Sequence, residues 1–60
     1  MKYKATTDWG DAFKKGEIWE LIEKFKNGST MITLMQKDEN KARVIEIHYM
    51  IFECFFKEME

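Results

Sequence analysis

Phe13-Lys14-Lys15-Gly16-Glu17-Ile18-Trp19-Glu20-Leu21-Ile22 is the stretch whose conformation decides the fold. Two lysines lead into Gly16, and the run after it is apolar on both parities: Ile18 and Ile22 on one, Trp19, Leu21 and Phe25 on the other. Successive side chains of a strand point to opposite faces. The pattern therefore predicts a tightly curved strand in a small barrel, with something packed against each face. Wound as a helix from Asp8 to Lys26, the same residues acquire Asp8 as N-cap, Glu20 and Lys24 as an i,i+4 pair, and Asn27-Gly28 as a left-handed C-terminal cap. Gly10 and Gly16 oppose that helix, each at roughly 1 kcal/mol against Ala. A shorter helix from Glu17 to Lys26 avoids both glycines. The two readings lead to different folds: mainly β, a five-stranded small barrel with a short helix before the last strand, or α+β, in the order α-β-β-α.

Outward from this stretch, the chain reads as short extended segments. Met1 to Thr7 alternates Lys2 and Lys4 with Tyr3 and Ala5, the period of a half-buried strand. Asp8-Trp9-Gly10-Asp11 breaks that period with turn-forming residues. Asn27-Gly28 suits a type I′ hairpin turn, since both residues tolerate positive φ. Ser29 to Gln36 is rich in Thr, Ile and Met and reads as a strand. Lys37 to Lys41 is a polar loop, and Ala42 to His48 is the clearest strand pattern in the chain. Tyr49 to Phe55 sets Ile51, Phe52 and Phe55 at helical spacing, which predicts one or two turns of helix. Phe56 to Glu60 either continues that helix or closes the sheet. With no proline, low-complexity tract or internal repeat, residues 1–60 are expected to form one domain.

Several of these segments resemble Src-homology-3 domains and SH3-like small barrels of the bacterial and phage type. Ala5-Thr6-Thr7-Asp8-Trp9 is similar to the ALYDY segment that ends that family's first strand. Phe13 to Leu21 resembles its diverging turn and second strand. Ile47-His48 stands where the family has an apolar-proline pair, and Phe55 to Met59 resembles its closing strand. The resemblance implies the barrel. It does not extend to a polyproline ligand: too few residues separate Ala5 from Gly16 for a full groove-lining loop, Ser29-Thr30-Met31 lacks the tryptophan of the third strand, and His48 replaces the groove proline. Flat preformed aromatic slots hold such peptides, and here Trp9 and Tyr49 are the aromatic residues placed to supply one.

Composition narrows the function. The chain has 60 residues, 45% apolar and 15% aromatic, and a domain of this size buries only about 60% of the surface its unfolded chain exposes. A surplus of apolar surface is the expected result, marking a partner site or a homodimer interface. Net charge is −1, and nine of the ten basic residues are Lys, with Arg43 the one Arg. Nucleic-acid binders present a basic, often arginine-rich face, so nucleic acid is the lesser reading, carried by Lys2, Lys4, Lys14 and Lys15 near Trp9. This Lys-heavy, Arg-poor usage points to an AT-rich genome of the kind low-GC bacteria and their phages have. Cys54 is alone, no apolar signal segment follows Lys2 and Lys4, and Val44 to Phe56 is too short and polar to cross a bilayer, so a cytoplasmic protein is expected.

Little in the chain carries chemistry. His48 and Cys54 lack a residue to orient them as a nucleophile pair, and with Glu46 or Glu53 they match no metal-ligand spacing. Glu17, Glu20 and Glu23 read as a solvated face, and no phosphate-cradling glycine motif is present. No enzyme, metal or cofactor is expected. The segment Tyr49 to Phe56 is apolar on every side of a helix except at Glu53, while a small barrel covers one side. Either Tyr49, Met50 and Phe56 are covered by a second protein or another copy, or the helix plugs the barrel end. The sequence thus points to a protein-binding module, an accessory or inhibitor protein docking through Trp9, His48, Tyr49 and Met50 or by adding a strand at a sheet edge. Nucleic-acid binding and a self-assembling structural subunit are the alternatives.

Overall fold

A computed structural model describes residues 1–37 and 40–59. Its elements are β1 (Lys2–Ala5), β2 (Ile18–Lys24), β3 (Met31–Lys37), β4 (Ala42–His48), α1 (Tyr49–Phe55) and β5 (Phe56–Glu58). The five strands form one antiparallel sheet in the order β4-β3-β2-β1-β5, with the helix immediately before the last strand. Among the described residues the edge strands β4 and β5 do not pair with each other, so the sheet is not closed by hydrogen bonds. Of the polar loop read over Lys37 to Lys41, Lys37 ends β3, and Asp38 and Glu39 lie outside the described residues, as does Glu60. No helix among the described residues is long and apolar enough to cross a membrane.

The deciding stretch is extended. Gly16 adopts φ 92°, a conformation in which a side chain is strained. Its N–H donates to the Ala5 carbonyl and the Ala5 N–H donates to the Glu17 carbonyl, both at 2.9 Å, so the chain turns straight into pairing with β1. The Glu17 carboxylate accepts from the Lys14 N–H at 2.7 Å and Asp8 accepts from the Lys15 N–H at 2.8 Å, satisfying the turn's donors. β2 then serves two neighbours. Ile18 to Glu20 pair with β1, Glu20 to Lys24 pair with β3, and a register shift between Leu21 and Glu23 bends the strand where it changes partner.

That strand is covered on one side only. Trp19 is fully buried and Leu21 half-buried, whereas Ile18 and Ile22 are 36% and 48% exposed. The expectation of packing on both faces is corrected here, because the helix and the loop between β1 and β2 all lie on the Trp19 side. The core comprises Tyr3, Ala5, Phe13, Trp19, Ile32, Leu34, Ile47, Phe52 and Phe56. The turn at Asn27-Gly28 has the positive φ values expected of a type I′ turn, 55° and 75°, and Ser29 N–H donates to the Lys26 carbonyl at 3.0 Å. The connection is wider than a two-residue hairpin loop, however. Strand pairing stops at Lys24, and a short 3-10 turn at Lys26–Gly28 follows.

Arg43 holds the open sheet together. From the edge strand β4 its guanidinium donates to the carbonyls of Asp11 and Ala12 at 3.2 and 2.9 Å and to Gln36 Oε1 at 3.3 Å, and it pairs with Glu17 at 3.4 Å. It also lies 5.2 Å from the centroid of the Trp19 ring. The Arg43 side chain is 42% exposed, so the ion pair itself contributes little. The forked bonds to two carbonyls and the cation–π contact stabilise the domain more than the ion pair does. Arg43→Ala is expected to cost about 1–2 kcal/mol, lowering Tm by roughly 5–15 °C for a domain of this size. Arg43→Lys should recover less than half of that loss, since one ammonium cannot hold the two carbonyls that Nη2 bonds and also reach Glu17 and Gln36, which Nη1 bonds; thermal denaturation of the three proteins measures it.

Candidate functional site

The aromatic residues singled out from the sequence sit at both ends of α1. His48 ends β4 with extended backbone and caps the helix, its Nδ1 accepting from the Met50 N–H at 3.1 Å. That bond fixes the imidazole so that it stacks on Tyr49, ring centroids 4.7 Å apart. The Tyr49 N–H donates to the Thr30 carbonyl at 2.9 Å, joining the start of the helix to the β2–β3 loop. Met50 points outward and is 57% exposed. The helix turns its opposite side to the core: Phe52 is buried, 4.8 Å edge-on from Tyr3 and 5.6 Å from Phe56. Phe56 is itself buried as the first residue of β5, so it is core and no part of an exposed side, contrary to the sequence reading.

Trp9 belongs to the other end. It is 42% exposed and rests on Phe55 at 5.1 Å and parallel to Phe13 at 6.5 Å, held by mutual bonds to the Phe13 carbonyl and the Ala12 N–H. Both the N–H and the hydroxyl of Thr6 donate to the Phe55 carbonyl, tying this corner to the end of α1. At about 1.5 Å rise per residue, the six steps from Tyr49 to Phe55 separate the two clusters by about 9 Å along the axis. Trp9 is therefore not brought together with His48, Tyr49 and Met50.

A residue that the sequence reading placed on the Trp19 and Leu21 side of the apolar run, and not in the site, completes the first cluster. Phe25 meets the Tyr49 ring edge-on at 6.0 Å, is 47% exposed, and adopts φ 55° and ψ 46°, the left-handed region. Its N–H donates to the Met31 carbonyl at 2.8 Å, which locks the conformation in place. The available signal was an aromatic residue set directly against the Lys26-Asn27-Gly28 turn. Together Phe25, His48, Tyr49 and Met50 form an aromatic mouth where the β2–β3 loop meets the start of α1.

The lysines of the alternative reading fall into two groups. Lys2 and Lys4 share the outward side of β1, opposite the buried Tyr3 and Ala5, and Lys4 faces Lys57 across the β1–β5 pair. Lys14 and Lys15 occupy the turn before Gly16, where Glu17 and Asp8 accept from their backbone. Acidic side chains thus interrupt the basic strip. Cys54 is exposed and free, about 240° around the helix from His48 by the α-helical repeat of about 100° per residue. Among the described residues no group of three or more His, Cys, Asp or Glu is placed to hold a metal. Compared with family models, with curated proteins and with solved structures, the chain finds no match.

The left-handed backbone at Phe25 costs roughly 1–2 kcal/mol for a residue with a Cβ, and a half-exposed ring recovers about as much by resting on Tyr49. Phe25→Gly is therefore expected to leave stability within about 1 kcal/mol of the parent, while Phe13→Ala in the core should cost about 3–5 kcal/mol. Urea denaturation of the two variants separates a ring kept for stability from one that is not.

Proposed function

We propose that this domain is a non-enzymatic protein-binding module that docks on a larger protein through the mouth formed by Phe25, His48, Tyr49 and Met50. The observation that carries the reading is Phe25, a bulky side chain held in left-handed backbone with nearly half its surface in water. Strain of this kind persists where the surroundings over-determine it and concentrates at ligand clamps. Aromatic residues and Met dominate the dry centres of protein interfaces, and Met adapts its shape to the surface it meets. Tyr49 and the capping His48, stacked on each other, form the floor of that centre. Trp9, across the helix, is a second anchor for a partner long enough to reach it.

The same proposal takes the domain as an SH3-like barrel. It is supported by the order of the strands, by a bent β2 shared between β1 and β3, and by a helical turn just before the closing strand. The Arg43 bonds to Asp11 and Ala12 carry the edge strand toward the loop that a closed barrel would place beside it. The role proposed with it is that of an accessory or inhibitor protein in the cytoplasm of a bacterium or a phage-infected cell, in keeping with the Lys-heavy, Arg-poor usage.

The test uses the purified domain as bait in extracts of its source cells. A protein retained by the parent should be lost with Phe25→Gly and with Met50→Glu, both of which keep the fold, and kept with Glu58→Lys on the far strand. Retention unchanged by both mouth variants overturns the reading. A second reading, nucleic-acid binding, rests on Lys4 standing opposite Lys57, since like charges in register repel unless an anion lies between them. It requires affinity for a single-stranded oligonucleotide that falls steeply with added salt; no binding at low salt removes it.

A further inference from the structure

The side of the sheet turned away from the core has its own order. Ile32 and Leu34 of β3 point inward, so Met31, Thr33, Met35 and Lys37 point out. Pairing register then fixes what stands in each cross-strand row. Val44, Met35, Glu20 and Lys2 form one row; Glu46, Thr33 and Glu23 form the next. In the opposite direction come Lys37 on β3 and, across β2, β1 and β5, Ile18, Lys4 and Lys57. The middle row sets Val44 and Met35 beside Glu20 and Lys2, one end is acidic at Glu23 and Glu46, and the other is basic at Lys37, Lys4 and Lys57. Among the described residues neither Glu23 nor Glu46 has an ion-pair partner.

Two details describe its relief. Thr33 is only 8% exposed although it points away from the core, and its hydroxyl finds no partner among the described residues. Beside it a hollow of about 470 Å³ opens at the basic end, lined by Lys2, Ile18, Trp19, Glu20, Met35 and Lys37. Val44, next to Met35, stands clear of it and is 58% exposed.

We propose that this outer face is covered by a second copy of the same chain, related by a two-fold axis lying in the interface across the strands. Such an axis lays each strand over its own counterpart reversed, so that the acidic row of each copy, Glu23 and Glu46, comes toward the basic end of the other, Lys4 and Lys37, and Val44 of each lies beside Val44 of the other. A two-fold interface must complement itself, and a face with opposite charges at the two ends of its strands does so when the strands are laid over their reversed counterparts. A partner of one sign would match one end and repel the other. The four lysines and three glutamates of the face also nearly cancel, as a self-paired surface requires. The residues are distinct from those of the aromatic mouth, and the inference does not depend on it.

Size sets the strength. Five strands spaced about 4.8 Å apart and about six residues long outline roughly 400 Å², half of the about 800 Å² per partner that a stable interface buries. The dimer is accordingly weak, with Kd in the range of about 10–500 μM, and weaker in high salt because its ion pairs are rim-exposed.

Sedimentation equilibrium from about 10 μM to about 1 mM spans that range. The average mass of the parent should climb toward two chains, and less so in high salt. Val44→Lys, which sets two cations beside each other across the axis, should remain a monomer with an unchanged circular dichroism spectrum. The doubly reversed chains Glu23→Lys/Glu46→Lys and Lys4→Glu/Lys37→Glu should each be monomeric alone and associate when mixed. A parent that stays monomeric to the top of the range overturns the proposal, as does a Val44→Lys variant that dimerises like the parent. Reversed chains that fail to associate on mixing also overturn it, since pairing along the β4 edge would be indifferent to those four charges.

Discussion

Everything in this domain is arranged around keeping water from the Trp19 ring. Trp19 lies on the bent strand that the two parts of the sheet share, and it is fully buried because each part contributes to its surroundings. One margin of that enclosure is Arg43, whose guanidinium spans from an edge strand to the backbone of a loop more than thirty residues earlier. A longer chain would place a second layer of apolar side chains there. Sixty residues cannot. A charged group with its head partly in water and its plane against the indole closes the core at little desolvation cost. The indole N–H bears the cost of the arrangement, being buried with no acceptor among the described residues.

Local pattern was enough to read much of the fold. The β4 strand and the α1 helix fall on the residues their periodicity marks, since both elements are decided by neighbours within a few positions. Gly16 announced the extended course of β2, and its φ of 92° is the physical reason a helix could not run through it. What periodicity could not supply was which side of β2 would be covered. Ile18 and Ile22 look like core residues in a row of letters, yet only the Trp19 side meets the helix and the Phe13 loop.

The site was less legible, for two separate reasons. His48, Tyr49 and Met50 are contiguous in sequence and remain together in space, whereas Trp9 was grouped with them for its chemistry and a helix length keeps it apart. Phe25 was read only as the last apolar residue on the Trp19 side of the run, because nothing in side-chain propensity predicts a phenylalanine in left-handed backbone. That conformation is imposed by the Phe25–Met31 bond and the turn that follows. Arg43 was weighed only as a count of basic residues, although its guanidinium bonds Asp11, Ala12, Glu17 and Gln36 and lies over Trp19. Its loop partners lie 31 and 32 positions away.

The position of β1 bears on how the chain is made. β1 receives its second neighbour from β5, and Thr6 bonds to Phe55 across 49 positions of sequence. During synthesis, then, β2 can join β1 early while the other margin of β1 waits, bare, until the closing strand has left the ribosome. Lys2 and Lys4 occupy that waiting strand, and charge of this kind discourages a passing neighbour from pairing with it. Two residues that the finished domain leaves at its surface would in this way guard the nascent chain.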